Sequence, residues 1–169
     1  MTPDALVQHL RLQPHPEGGF YRETYRSPER IDCTDGASRS ASTGIYYLLC
    51  DGAYSTWHRI RSDEMWHFYA GTALQVYELL PDGELRTHRL GADPRDTVFQ
   101  ATVQGGNWFA AEVADPTSFA LVGCTVAPGF EFSEFELADT RQLLNTYPAH
   151  EALIKRLAKP QAESAKAYL

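Results

Sequence analysis

Between Phe20 and Leu137 the chain is a succession of short segments rich in Tyr, Phe, Val, Thr and Trp, with turn residues between them and no helix-period stretch to interrupt. FYRETYR, TGIYYLLC, AYSTWHRI, EMWHFYA, ALQVYELL, ELRTHRL, TVFQATV, NWFAAEV, TSFALVGCTV and FEFSEFEL alternate with SPER, DG, RSD, GT, PDG, GADPRD, QGG, ADP and APG. A parallel sheet needs helical crossovers between strands, and none fit here. The pattern therefore predicts an all-β fold, an antiparallel sandwich or small barrel. The clearest hairpin turn is Pro81-Asp82-Gly83, where proline presets φ and glycine accepts the positive φ that closes the turn.

Short helices flank this β region. Thr2, Pro3 and Asp4 open a capped helix that must end before Pro14. After Leu137, Asp139 or Thr140 can cap a turn through Leu143 and Leu144, and Pro148 precedes a stretch in which Leu153, Ile154 and Leu157 share one face. No repeat or linker divides the 169 residues, so the expectation is a single domain over residues 1–169, with a barrel over about 18–137, a helical segment over about 139–158 and a polar tail from Lys159.

Fifteen basic residues, scattered, against 22 acidic ones give a formal charge of −7. Without a Lys/Arg run there is no counterion-release term, which argues against nucleic acid and anionic membranes as partners. No segment reaches the roughly 18 apolar residues of a membrane span, and the start has no basic-then-apolar leader pattern. Cys33, Cys50 and Cys124 are odd in number and far apart, which suits free thiols in a reducing, cytoplasmic setting.

The chemistry-bearing stretch is GAYSTWHRIRSDEMWHFYAG, from Gly52 to Gly71. If its two halves are neighbouring antiparallel strands, His58 and Glu64 face one cavity, where an imidazole and a carboxylate can serve acid/base work, metal ligation or recognition of a polar ligand. Regular pleating puts Glu64, Trp66 and Phe68 on one face and Met65, His67 and Tyr69 on the other, so His67 joins Glu64 only through a bulge. In the next strand Gln75 and Tyr77 share the more polar face, which makes Tyr77 a candidate ligand contact. Tyr46, Tyr47, Tyr54 and Tyr69 are further tyrosines on central strands, any of which could serve as an acid.

These residues resemble the first signature motif of the cupin superfamily. The chain reads G-x5-H-x-I-x3-E-x6-G, departing from G-x5-H-x-H-x3-E-x6-G only at Ile60. Gln104-Gly105-Gly106 with Asn107, Trp108 and Phe109 is similar to the second motif, P-x-G-x2-H, with Gln104 for proline and Phe109 for histidine. Longer phrases, HPEGGFYRETYRS, STGIYYLL, WHRIRSDEMWHFYAG and LVGCTVAPGFEFSEFELAD, are similar to small cupin-like proteins often called the fifth cupin family, over roughly residues 3 to 158.

The resemblance implies a cupin jelly-roll β-barrel, a homodimer and a ligand-sized cavity; taken with the strand alternation, the expected lining is His58, Glu64, Trp66, Phe68, Tyr77 and Phe109. Of the usual three histidines and one glutamate that hold a metal, only His58 and Glu64 survive, so the expectation is no cofactor. The leading functional expectation is binding of a small polar or sugar-like molecule, extending to metal-independent epimerase or isomerase chemistry in which His58 moves a proton and Glu64 tunes it. One alternative is a dioxygenase or isomerase whose divalent transition metal sits on His58, Glu64 and His67; another is a noncatalytic binding or structural dimer. Against these stand plainer roles. His15, His88 and His150 read as solvated, Glu17-Gly18-Gly19 as the turn into the first strand, Arg22 and Glu23 as a solvated edge pair, and Trp57 and Trp108 as core. Gln104 and Asn107 read as turn residues or as polar groups offered to a ligand.

Overall fold

The Thr2 hydroxyl accepts the Ala5 backbone N–H at 3.2 Å and Pro3 presets the first helical φ, so helix α1 (Pro3–Leu10) starts where the Thr-Pro-Asp opening predicts. Arg11, at a left-handed φ of 54°, ends it. The computed structural model describes residues 1–159. The polar tail expected beyond Lys159 lies outside the described residues.

The strands are β1 (Gln13–Pro14), β2 (Phe20–Arg26), β3 (Arg30–Asp32), β4 (Ser38–Ser40), β5 (Thr43–Leu49), β6 (Ser55–Arg59) and β7 (Asp63–Gly71). They continue with β8 (Leu74–Leu79), β9 (Leu85–Leu90), β10 (Gln100–Val103), β11 (Trp108–Val113), β12 (Ala120–Ala127) and β13 (Glu136–Leu137). Helices α2 (Thr140–Thr146) and α3 (Glu151–Arg156) close the described chain. One sheet runs β1-β2-β5-β12-β7-β10, the second runs β13-β6-β11-β8-β9, and β3 pairs with β4 apart from both. Placing β12 between β5 and β7, and β11 between β6 and β8, interleaves distant parts of the chain into a jelly roll.

Both faces of both sheets carry packing, and that decides where each strand residue points. The inner faces share a core that includes Tyr47, Leu49, Trp66, Val122 and Val126 from the first sheet and Leu74, Val76, Phe109 and Ala111 from the second. On the back of the second sheet Trp57, Tyr77, Leu79 and Ala110 lie beneath Leu143, Ile154 and Leu157. Burying Ile154 and Leu157 completely contributes roughly 1.5–3 kcal/mol each, and holds a six-residue helix too short to persist alone. The back of the first sheet is covered in part by α1, with Leu6 against Leu48, Cys50 and Leu121. Cys50 and Cys124 are buried and Cys33 half-buried, all three as free thiols.

Two segments differ from the pattern reading. FEFSEFEL, expected as a strand, pairs with β6 only at Glu136–Leu137, and Phe132–Glu134 forms a 3-10 turn. Its alternating aromatics are used instead to cluster Phe130, Phe132 and Phe135 with one another, the closest ring pair being 4.9 Å apart. The β3–β4 hairpin went unseen because its strands are three residues each and mostly polar, with no apolar alternation to mark them.

Candidate functional site

Alternation along β6 sends Trp57 outward under the helices and His58 inward. The Nδ1 of His58 lies 2.7 Å from the Thr56 carbonyl oxygen. A carbonyl only accepts, so Nδ1 carries a proton, and the neutral ring offers Nε2 as an acceptor. That nitrogen is 3.0 Å from Oε2 of Glu17. The contact lacks hydrogen-bond alignment, so the lone pair of Nε2 is not committed to Glu17.

Glu17 reaches His58 because of the glycines that follow it. Gly18 has a φ of +112°, and a Cβ there would stand 2.3 Å from the Tyr54 carbonyl oxygen; Gly19 has a φ of +77°. The backbone thus folds back against the sheet where a side chain could not fit. The Tyr47 hydroxyl donates to the Gly18 carbonyl at 2.5 Å, and the Glu17 N–H donates to His15 Nδ1 at 3.1 Å. The Ser55 hydroxyl donates to Glu17 Oε1 at 2.9 Å, whereas Oε2, buried, has no aligned donor.

A cavity of about 290 Å³ opens in front of these groups. His15, Glu17, His58 and Glu64 supply its polar groups, and Ile45, Tyr47, Ile60, Trp66 and Val126 stand among its walls. Arg26, with Glu23, Glu131 and the Phe130, Phe132 and Phe135 cluster, also lines it. Arg26 is fully engaged: it donates to Glu23 at 2.7 Å, to Glu131 at 3.0 Å and to the Phe130 carbonyl at 2.9 Å.

Burial inverts the ordinary order of proton affinities. It pushes the His58 imidazole down to about 4, against the opposing pull of the Thr56 carbonyl. It pushes Glu64 up to about 8, helped by the charge of Glu17 and opposed by the nearby Trp66 indole. Glu17 is raised by the same burial, opposed by His15, Ser55 and Tyr47, and His15 is lowered by burial against the pull of Glu17.

Of the residues singled out in the sequence, the fold brings His58, Glu64 and Trp66 to one cavity. Phe109 stands behind His58, ring centroids 4.1 Å apart, and Phe68 packs against the inner core without lining the cavity. Tyr77 points the other way: its hydroxyl is within hydrogen-bond distance of Gln75 at 2.9 Å and Glu112 at 2.7 Å, on the face roofed by the C-terminal helices. The polarity of that face misled, because the apolar Leu74 and Val76 mark the interior while Tyr77 marks a second buried surface. His67 lies on the outer face, 2.9 Å from the Thr125 hydroxyl, and the bulge in β7 falls at Tyr69, too late to turn it inward.

Other expectations are corrected as well. His15 is not solvated but part of the cavity, and Glu17 is far more than a turn residue. Nothing in the alternation of strands points to either; the only hint is the paired glycine that forces the chain back on itself. Glu23 lines the cavity while Arg22 lies over the Tyr46 ring at 5.9 Å. His88 is 2.9 Å from the fully buried Glu78, which also accepts hydrogen bonds from the Asn107 side chain and the Gln104 N–H, each at 2.9 Å. Asn107 and Gln104 are thereby committed to anchoring the loop before β11. His150 Nε2 lies 3.0 Å from the Gly83 carbonyl, tying the C-terminal helices to the β8–β9 turn.

The donor set does not fit the three-histidine, one-glutamate metal pattern. Ile60 and Phe109 put hydrocarbon at two of its positions, the free nitrogen of His58 is turned to Glu17, and His67 faces away. Among the described residues no group of three or more His, Cys, Asp or Glu side chains is arranged to hold an ion.

A family model described as Cupin superfamily (DUF985) matches residues 4–138. An uncharacterized protein of Saccharomyces cerevisiae, YML079W, is 27% identical over 179 residues, covering 97% of this chain and 84% of that one. Among solved structures, a hypothetical protein from Leishmania major superposes with a TM-score of 0.89 at 37% identity, over 95% of this chain and 100% of that one. Protein SO0799 from Shewanella oneidensis gives 0.87 at 40% identity, over 95% and 99%. Oxalate decarboxylase from Bacillus subtilis gives 0.55 at 12% identity over 88% of this chain and 37% of that one, a likeness of fold alone.

Proposed function

The chain belongs to the cupin superfamily, in the family described as DUF985, and on that premise we propose that it binds a small polar, sugar-like molecule in the cavity and exchanges a proton with it without a metal. The observation that carries this reading is the contact of His58 Nε2 with Glu17 Oε2 at 3.0 Å, while Nδ1 is tied to a carbonyl. A base needs an imidazole whose tautomer is set and whose protonated form has a partner; Thr56 sets the first and Glu17 provides the second. Glu64, protonated up to about pH 8, is the complementary acid beside it.

For a ligand with a carbonyl, the chemistry balances within these three groups. A proton on the neighbouring carbon passes to His58 Nε2 as the Glu64 proton passes to the carbonyl oxygen, giving an enediol. Glu64 then takes back the proton of the other enediol hydroxyl while His58 returns its proton to the former carbonyl carbon, which completes isomerisation. Alternatively, Glu64 takes back the proton it gave and His58 returns its own to the original carbon of an enediol that has turned over, which gives the epimer. The apolar walls keep water from competing for the charges that develop. As part of the same reading, two copies pair through the outer face of the six-stranded sheet, where Met65 and Tyr69 are exposed. Sedimentation showing only monomer refutes that part.

The test is exchange of carbon-bound hydrogen in heavy water, followed by NMR over a panel of aldoses and ketoses. Wild type is expected to exchange one position of a bound sugar, and His58→Asn to slow the exchange at least about a hundredfold with binding retained. Exchange unaffected by His58→Asn refutes the acid/base role, and a panel with no binder refutes the sugar-like ligand.

A further inference from the structure

We propose that His15 and Glu17 form a subsite for a hydroxyl group of the ligand, carried on the same carbon whose hydrogen His58 takes, so that the substrate is an α-hydroxy aldehyde or ketone. The inference rests on the reading of the cavity as a proton-exchange site, and deepens it by naming the substrate class and the residues that select it.

The first argument is a donor with nothing to donate to. The Glu17 backbone N–H donates to His15 Nδ1 at 3.1 Å. A nitrogen that accepts carries no proton, so the ring is neutral and its proton is on Nε2. Burial favours the same neutral form against the pull of Glu17. The ring packs T-shaped against Tyr21 and Tyr47, centroids 4.6 and 5.3 Å away, and its side chain, 8% exposed, lines the cavity. Among the described residues Nε2 has no hydrogen-bond partner, which leaves its N–H for whatever occupies the cavity.

The second argument is an unused oxygen next to that donor. Glu17 Oε2 is buried without a partner, 3.0 Å from His58 Nε2, and Oε1 of the same carboxyl is 3.8 Å from His15 Nδ1. A hydroxyl has one hydrogen and two lone pairs. It therefore accepts from His15 Nε2–H and pairs with Oε2 whether the carboxyl is ionised or protonated, with no countercharge involved. An ammonium has no lone pair for His15, and a methylene leaves both groups unpaired. A carboxylate brings a negative charge where the one lining guanidinium, Arg26, is already held by Glu23, Glu131 and the Phe130 carbonyl.

The third argument is position. An oxygen within hydrogen-bond reach of Oε2 puts the carbon that bears it beside His58 Nε2. In an α-hydroxy carbonyl compound that carbon carries the acidic hydrogen, so holding the hydroxyl brings the C–H bond to the base. No bond is made or broken at His15. Its N–H stays on the oxygen when isomerisation turns the hydroxyl into the new carbonyl, because a carbonyl oxygen accepts as well.

The test compares compounds that differ by this hydroxyl alone: D-ribose with 2-deoxy-D-ribose, D-glucose with 2-deoxy-D-glucose, and hydroxyacetone with acetone. Affinity for the full chain is read by titration calorimetry near pH 7, and exchange of carbon-bound hydrogen by NMR in heavy water. Wild type is expected to favour at least one hydroxylated compound over its partner by at least about tenfold. His15→Asn keeps a side-chain acceptor for the Glu17 N–H, as in an Asx turn, and has nothing at the place of Nε2. It is expected to weaken the hydroxylated compound about tenfold and to leave the deoxy partner unchanged. His15→Gln, which restores an amide N–H near the place of Nε2 but not the acceptor, is expected to keep most of the preference. Nitrogen-15 NMR of the histidine rings is expected to find His15 neutral with its proton on Nε2, and that resonance moved by the hydroxylated compound. Binding with no preference for the hydroxyl, a preference that survives His15→Asn, equal losses for both members of a pair, or a His15 ring protonated on Nδ1 each overturns the subsite and leaves the chemistry of the cavity standing. No binding by any compound, with no hydrogen exchanged, overturns the subsite together with the reading beneath it.

Discussion

Replacing Glu64 by glutamine removes one titration and almost no volume, so its effect on folding can be worked out from the structure. The side chain ionises near 4.5 when free in water and at about 8 in the folded protein. Because the folded value is the higher one, the stabilising contribution is complete below pH 4.5 and is lost as pH rises through 8. At ~1.36 kcal/mol per pH unit the whole loss has a ceiling of about 5 kcal/mol. Glu64 is half-buried on the wall of an open cavity, and screening by water brings the expected loss to about 2–3 kcal/mol. Glutamine binds no proton in this range, so wild type minus variant isolates the Glu64 contribution. His58, whose stabilisation is present above 6.5 and lost as pH falls through about 4, remains in both proteins and largely cancels. Urea unfolding of both proteins at about pH 5, 7 and 9 measures the difference, which should shift toward the variant by about 2–3 kcal/mol from the acid to the alkaline end. Profiles parallel to within about 0.5 kcal/mol refute the claim that Glu64 is held protonated.

Gly18→Ala forces a Cβ against the Tyr54 carbonyl at a φ of +112° and is expected to cost at least about 2 kcal/mol in urea unfolding while displacing Glu17 from His58, so that ligand affinity falls with stability. Loss of stability with affinity unchanged breaks the link drawn between that turn and the site. Tyr77→Phe is expected to cost about 1 kcal/mol through its lost hydroxyl contacts and to leave every cavity property intact; altered binding contradicts its place beneath the helices. Dialysis against a strong chelator is expected to leave the melting temperature unchanged, since the donor set does not fit an ion, and a fall of several degrees refutes that assessment.

The jelly roll was legible because its strands announce themselves through aromatic and β-branched runs between turns, and β2, from Phe20 to Arg26, has the predicted bounds. The alternation along β7 that sets Glu64 with Trp66 likewise survives folding, since no bulge lies between Glu64 and His67. But β6 and β7 are not the paired neighbours the sequence suggested: they lie in different sheets, and His58 shares the cavity with Glu64 from the opposite sheet. What could not be read is depth. Polar-face logic assumes that one side of a strand meets water, and β8 violates it: Tyr77 is buried on one side and Glu78 completely buried on the other. Glu17, across 41 residues of chain from His58, arrives by a tertiary contact that no local periodicity encodes.

The departures from the metal-binding motif have a consequence beyond the ligands they delete. Ile60 and Phe109 are 3% and 1% exposed, and they place hydrocarbon where imidazoles would sit in the motif. Hydrocarbon there strips solvent from His58 and Glu64 without offering either a countercharge. Each group answers by favouring its neutral form, which for histidine means losing a proton and for glutamate means keeping one. Ile60 and Phe109 at the motif positions thus leave a neutral imidazole and a neutral carboxyl in one cavity near pH 7, the pair of protonation states that the proposed proton transfer requires. On this reasoning the two apolar residues are part of the proposed chemistry, acting through the environment they impose on the two polar ones.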